Sequence, residues 1–138
     1  MKMGGNFEQC YNAQAVVDGE SQLILANGLT NNAADNGELL PMVEAVKKNL
    51  GQLPERVLSD SGYRSEQGSG GLEEKGVEGL VALGHEGKDR TAIDPNRYPA
   101  TARMAERLAS SEGQAHYRRR KVIVKPVFGW IKHVMGFR

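Results

Sequence analysis

Arg56-Val57-Leu58-Ser59-Asp60-Ser61-Gly62-Tyr63 is the stretch whose reading decides the fold. Pro54 breaks the chain just before it. Residues 56–59 read as a short strand that runs straight into an Asp-Ser-Gly turn. Asp60 therefore falls at the carboxyl end of an interior strand, where open α/β sheets build their sites. Gly62 lets the backbone turn sharply, and Tyr63 can pack over the turn. A carboxylate in this position suits a hard divalent cation, Mg²⁺ or Mn²⁺, because such ions take oxygen ligands. The plainer role fits the same residue: Asp60 can cap the next helix or shape the turn.

Working outward, residues 11–17 read as a strand, Asp18 to Ser21 as a turn, and Leu23 to Ala26 as a second strand closing an antiparallel hairpin. A polar loop from Thr30 to Asn36 follows. Leu39, Leu40, Met42, Val43, Val46 and Leu50 then recur at helical spacing, with Gly51 as the stop. Downstream, Ser65 to Lys75 reads as a helix ending at Gly76, although Gly68, Gly70 and Gly71 weaken it by about 1 kcal/mol each. Val77 to Leu83 reads as a strand and Gly84 to Pro99 as an irregular connection. The rest is helical, from Ala100 to Ala109 and from Gln114 to Met135, with Pro126 starting or kinking the last helix. This order predicts an α/β fold with a mixed sheet and flanking helices. An RNase H-like fold has this order except that it begins with one more strand, and several other α/β folds share parts of the pattern.

The 138 residues suit one domain, and an apolar share of 39% with 25% charged residues excludes wholesale disorder. No apolar run approaches the roughly 20 residues that cross a bilayer, which argues against a membrane partner. Residues 1–5 lack the apolar core of a secretory signal. The single cysteine, Cys10, cannot form an internal disulfide and fits a reducing cytoplasm. Charge is unevenly spread: residues 1–100 hold 9 Lys/Arg and 15 Asp/Glu, and residues 101–138 hold 9 and 2. A basic end of this kind suits nucleic-acid phosphates, or else is a solvated face or folds against the acidic part. His85, His116, His133 and Cys10 show no zinc spacing. Residues 68–71 lack the Lys-Ser/Thr ending of a phosphate loop. Phe128, Trp130 and Ile131 are expected to anchor the last helix to the sheet.

Four blocks, in order, carry a resemblance. Tyr11-Asn12-Ala13-Gln14-Ala15-Val16-Val17-Asp18 resembles the Gly-Tyr-Asn-Ala-Gln strand of one group of bacterial insertion-sequence DDE transposases. Leu29-Thr30-Asn31-Asn32-Ala33-Ala34-Asp35, followed by Leu39-Leu40-Pro41-Met42, is similar to that group's next segment. Leu58-Ser59-Asp60-Ser61-Gly62-Tyr63 resembles its Ala-Asp-Ala-Gly-Tyr block. Tyr117 to Lys121, then Val124-Lys125-Pro126-Val127-Phe128-Gly129-Trp130-Ile131-Lys132, resembles its closing Glu-Pro-Val-Phe-Gly block.

The resemblance implies DNA cleavage and strand transfer at insertion-sequence ends, with three carboxylates holding two Mg²⁺ or Mn²⁺ ions about 4 Å apart. Asp60 matches the second carboxylate and is the implied metal ligand. Tyr117, Arg118, Arg119, Arg120, Lys121 and Lys132 fall where such enzymes contact the DNA backbone, and a solvated helix face remains the plain alternative. Implied partners are DNA and a full-length transposase, or a second copy of the chain in a homo-oligomer.

Two departures stand against activity. Lys125 occupies the place of the catalytic glutamate, and a protonated lysine repels a cation instead of ligating it. At about 4 Å and an effective dielectric near 20, each such charge pair is worth several kcal/mol. The family's first aspartate belongs upstream of Tyr11, and none of the first ten residues is aspartate. Asp18, at the hairpin turn, suits a turn role. The expectation is a single, truncated catalytic domain over residues 1–138, without the opening strand and the C-terminal helices, and catalytically inactive. The alternative is a non-enzymatic DNA-binding or regulatory module that inhibits a full-length transposase.

Overall fold

The computed structural model describes residues 2–3, 6–7, 11–84 and 93–136. Most of the segment before Tyr11, Cys10 included, lies outside the described residues, as do His85, much of the irregular connection before Pro99, and residues 137–138. Near the start, β1 (Lys2–Met3) pairs antiparallel with β2 (Asn6–Phe7).

The hairpin forms as read, but its second arm is longer. β3 (Asn12–Val17) pairs antiparallel with β4 (Ile24–Thr30), from Asn12 opposite Thr30 to Val16 opposite Ala26. Asn27 and Gly28 are poor strand formers, so their place in β4 comes from the partner strand. A bulge between Val16 and Val17 shifts the register, putting Val17 opposite Ile24. Asp18 takes the turn role expected of it: its Oδ2 accepts from the Ser21 hydroxyl at 2.6 Å and the Ser21 amide at 2.7 Å.

α1 (Leu39–Leu50) has two apolar faces. Leu39 and Val43 join Leu72, Leu80, Val81 and Met104 in the main core. Met42 and Val46 pack with Ala26 beneath the hairpin. β5 (Arg56–Ser59) pairs in parallel with β6 (Glu78–Val81), and α2 (Glu66–Glu74) makes the crossover between them. The glycines that weaken α2 in isolation have a packing use. A β-carbon at Gly71 would lie 2.5 Å from Leu40 Cδ1, so a larger residue there would force the Leu40 side chain of α1 to move.

α3 (Pro99–Ala109) begins with proline at its first turn, and its open amides are capped from another helix. Glu66 of α2 accepts from the Ala100 amide at 2.8 Å, the Thr101 amide at 2.9 Å and the Thr101 hydroxyl at 2.6 Å. Burial raises the Glu66 pKa, but these bonds and the Arg103 charge outweigh it and hold the carboxyl below its ordinary value. A depressed folded-state pKa stabilises the fold above the unfolded value, and that stability is lost as pH falls through the folded one. Acid titration followed by circular dichroism should therefore show Glu66→Gln less stable than the parent at neutral pH, with the difference shrinking below about pH 4.

α4 (Ser111–His133) follows directly, and Ser110 serves both helices. Its hydroxyl donates to the Arg107 carbonyl at 2.6 Å and accepts from the Gly113 amide at 3.0 Å. Pro126 neither starts nor ends α4, which continues through it. Proline has no N–H for the carbonyl four residues earlier, that of Val122. Gln22 Nε2, from the hairpin turn, donates to that carbonyl at 3.4 Å. Trp130 is 66% exposed, so it does not anchor the helix as expected; Phe128 and Ile131 are half-buried.

The class is α/β with both antiparallel and parallel pairing, compatible with an RNase H-like DDE domain fragment. The strands do not merge into one sheet, however. The described residues form separate two-stranded ladders, β1–β2, β3–β4 and β5–β6. α4 touches both β3 and β5.

Candidate functional site

Asp60 sits at the carboxyl end of β5, as the sequence predicts, and half of its carboxylate has a structural use. It caps the 3-10 turn Ser61–Tyr63, Oδ1 accepting from the Gly62 amide at 3.1 Å. Oδ2 lies 3.9 Å from Arg120 Nη1 of α4. The side chain is about half exposed, so this ion pair contributes little by itself.

A second carboxylate shares the turn, and the sequence reading missed it. A β-carbon at Gly62 would lie 3.0 Å from Asp35 Oδ2 and 3.2 Å from Asp60 Oδ1. Asp35 is held from β3: its Oδ1 accepts from Asn12 Nδ2 at 2.5 Å and Gln14 Nε2 at 2.7 Å. Gln14 is buried, and its Oε1 accepts from the Tyr63 hydroxyl. Burial, reinforced by the charges of Asp35, Asp60 and Glu38, pushes the Tyr63 hydroxyl up to about 12. Tyr63 thus stays a protonated donor throughout the physiological range. The available signal was two carboxamides at alternate positions of one strand, which share a face and need a polar partner there.

α4 presents two rows. Tyr117, Arg120, Val124 and Phe128, at spacings of three, four and four, face inward. The Tyr117 hydroxyl donates to the Ser59 carbonyl at 3.3 Å, and the Arg120 guanidinium stacks 5.2 Å from the Tyr117 ring centre. Tyr117 and Arg120, expected at DNA, are therefore also engaged in seating α4 on the end of β5. Arg118, Lys121, Lys125 and Lys132 are all exposed, and at 3.6 residues per turn they form one outer stripe about 21 Å long. Arg119 is exposed beside the mouth of a groove between β3 and β5. No acidic residue occurs between Gly113 and His133.

These residues do not fit a two-metal centre. Among the described residues no group of three or more His, Cys, Asp or Glu could hold a metal ion. Asp60 and Asp35 are the two carboxylates at the turn; each has one oxygen engaged by amide donors, and a guanidinium lies across from Asp60. The α4 cation that meets Asp60 is Arg120. Lys125 is exposed and does not line the adjacent groove.

No helix among the described residues is long and apolar enough to cross a membrane. A model of a protein family described as the transposase DDE domain matches residues 1–138. No curated protein and no solved structure matches the chain.

Proposed function

Because this chain belongs to the transposase DDE domain family, we propose that it binds the DNA backbone through the outer stripe of α4 and does not by itself carry out strand transfer. DDE transposases in general use divalent metals and act on DNA. The observation that carries the binding half is the stripe Arg118, Lys121, Lys125 and Lys132, exposed on one helix face with no acidic residue nearby along α4. Cations in a row neutralise successive phosphates and release counterions, which makes affinity steep in salt and indifferent to base sequence. In this reading Lys125 is a phosphate contact, and reversing its sign weakens the DNA complex.

The inactive half is supported by the composition of the Asp60 turn. Two carboxylates beside a guanidinium supply too few oxygen ligands and an adverse charge for a pair of divalent ions.

Fluorescence anisotropy with a labelled 20-base-pair duplex tests the binding half. Four phosphate contacts predict that log K falls with log salt at a slope of about −3.6. Lys125→Glu should weaken binding to all sequences alike and flatten the slope by about 1. A slope near zero, or a Lys125→Glu variant that binds as the parent does, would remove the stripe from the DNA interface. The inactive half is tested by Mn²⁺-dependent nicking of supercoiled DNA. The parent, Lys125→Glu and Asp60→Ala should all be silent, and nicking by the parent that Asp60→Ala abolishes would overturn it.

A further inference from the structure

The sequence contains two Asn-Gly pairs, and the fold holds them differently. Asn27-Gly28 lies inside β4, and Asn36-Gly37 lies in the turn that leads into α1. Both asparagines are exposed, so access to water does not separate them. Backbone freedom does. Asn27 stands opposite Ala15 and Gly28 opposite Gln14 in the β3–β4 ladder. Gly28 is also packed on α1, since a β-carbon there would lie 3.2 Å from the Met42 sulfur. The turn at Asn36-Gly37 is closed by a single backbone bond, from the Glu38 amide to the Asp35 carbonyl at 2.9 Å. Among the described residues neither the Asn36 carboxamide nor the Gly37 amide has a hydrogen-bond partner.

The backbone nitrogen after an asparagine can close a five-membered ring on the side-chain amide carbon, provided the bond between them can rotate. Glycine hinders this closure least, because it has no β-carbon beside the attacking nitrogen. A strand fixes that rotation in the extended range and ties both residues to a partner, so closure there would break the ladder. We propose that Asn36-Gly37 is a site of spontaneous covalent modification. The Gly37 nitrogen bonds to Asn36 Cγ, and the side-chain nitrogen leaves as ammonia with the proton that Gly37 loses. Water then opens the succinimide at either carbonyl, leaving residue 36 as aspartate or isoaspartate. Nothing is oxidised or reduced, and water is the only co-reactant.

The product adjoins Asp35, whose carboxylate is held by Asn12 and Gln14 and lies beside Gly62. Isoaspartate adds a methylene to the main chain inside the turn, which pulls on the Glu38–Asp35 bond and on the seat of Asp35. Modification thus loosens the hold of β3 on the Asp60 turn. Asp18-Gly19 can close the same ring but is guarded. Hydrogen bonds from Ser21 hold the Asp18 pKa down, and an ionised carboxylate is a poor electrophile. The inference is independent of the DNA reading, because it rests on this turn and not on the outer stripe.

The test incubates the full chain at pH 8 and 37 °C and digests it with trypsin, which leaves both asparagines in one peptide, residues 3–47. A sample digested without incubation sets the baseline. Fragment masses assign the amide-to-acid gain to a residue, and isoaspartyl methyltransferase labelling reports the isoaspartate. Residue 36 should convert while Asn27 stays intact, and conversion should quicken as the pH is raised. In urea, with the ladder gone, the two should convert alike. Gly37→Ala should slow conversion several-fold and keep the fold, since a β-carbon there meets nothing within 4 Å and its φ is not left-handed. Chain carrying isoaspartate at residue 36 should unfold at a lower urea midpoint than unconverted chain. The site is overturned if folded chain keeps Asn36 intact while urea converts it, if Asn27 converts equally fast in the fold, or if Gly37→Ala converts as the parent does. A converted chain with the parent's midpoint would overturn the link to the Asp60 turn.

Discussion

Gly113→Ala should destabilise the chain by about 3 kcal/mol and lower its melting temperature by about 10 °C. The usual helix rule gives the opposite sign, since alanine favours a helix over glycine by about 1 kcal/mol. Gly113 lies buried in the first turn of α4, where the chain leaves α3. A β-carbon there would lie 2.9 Å from the Arg107 carbonyl carbon, closer still to its oxygen, and 3.1 Å from Leu108 Cα. These are backbone atoms, so no side-chain rotation relieves the contact. The first turn of α4 has to move, which strains the Ser110 bonds to Gly113 and Arg107. The same movement pulls Tyr117 from the Ser59 carbonyl and Arg120 from Asp60. Urea denaturation checks the sign: the midpoint should fall with little change in slope. A midpoint at or above the parent's would mean that the α3–α4 corner yields easily.

That corner also shows what could be read from the sequence. Local signals were legible: the apolar spacing of α1, the glycine stop at Gly51 and the strand running into Asp60 each follow from neighbours in the chain. The capping of α3 was not, because its acceptor, Glu66, lies more than thirty residues earlier. Nor was the support of Val122, a hundred residues from Gln22. Tertiary partners of this kind leave no periodicity. Lys125 shows a different limit. Motif matching assigns it a place in a block, but helix geometry sets its direction. Five residues beyond Arg120 is about 140° around the helix, so the two cannot share a face. Sequence order likewise predicted one mixed sheet, whereas among the described residues β3–β4 and β5–β6 remain separate ladders, since strand order alone does not fix which edges pair.

The second large effect is expected at Gln14, the link between β3 and the Asp60 turn. Gln14→Leu keeps the volume but removes the acceptor for Tyr63 and one of two amide donors to Asp35. A half-buried hydroxyl left unpaired costs about 1–3 kcal/mol, and a hydrogen bond to a charged group contributes about 1.5–3 kcal/mol. Together these predict a loss of about 3 kcal/mol, measured by urea denaturation, against under about 1.5 kcal/mol for a tolerated core swap. Gln14→Glu separates hydrogen bonding from charge. It places a carboxyl against Asp35, and two carboxylates that close raise one pKa. A pKa raised in the folded state makes the variant least stable at neutral pH and restores stability as pH falls toward about 5. The parent should show no such recovery. If Gln14→Glu instead follows the parent's pH profile, Asp35 and Gln14 are not coupled, and Gln14 holds the Asp60 turn through the Tyr63 hydroxyl alone.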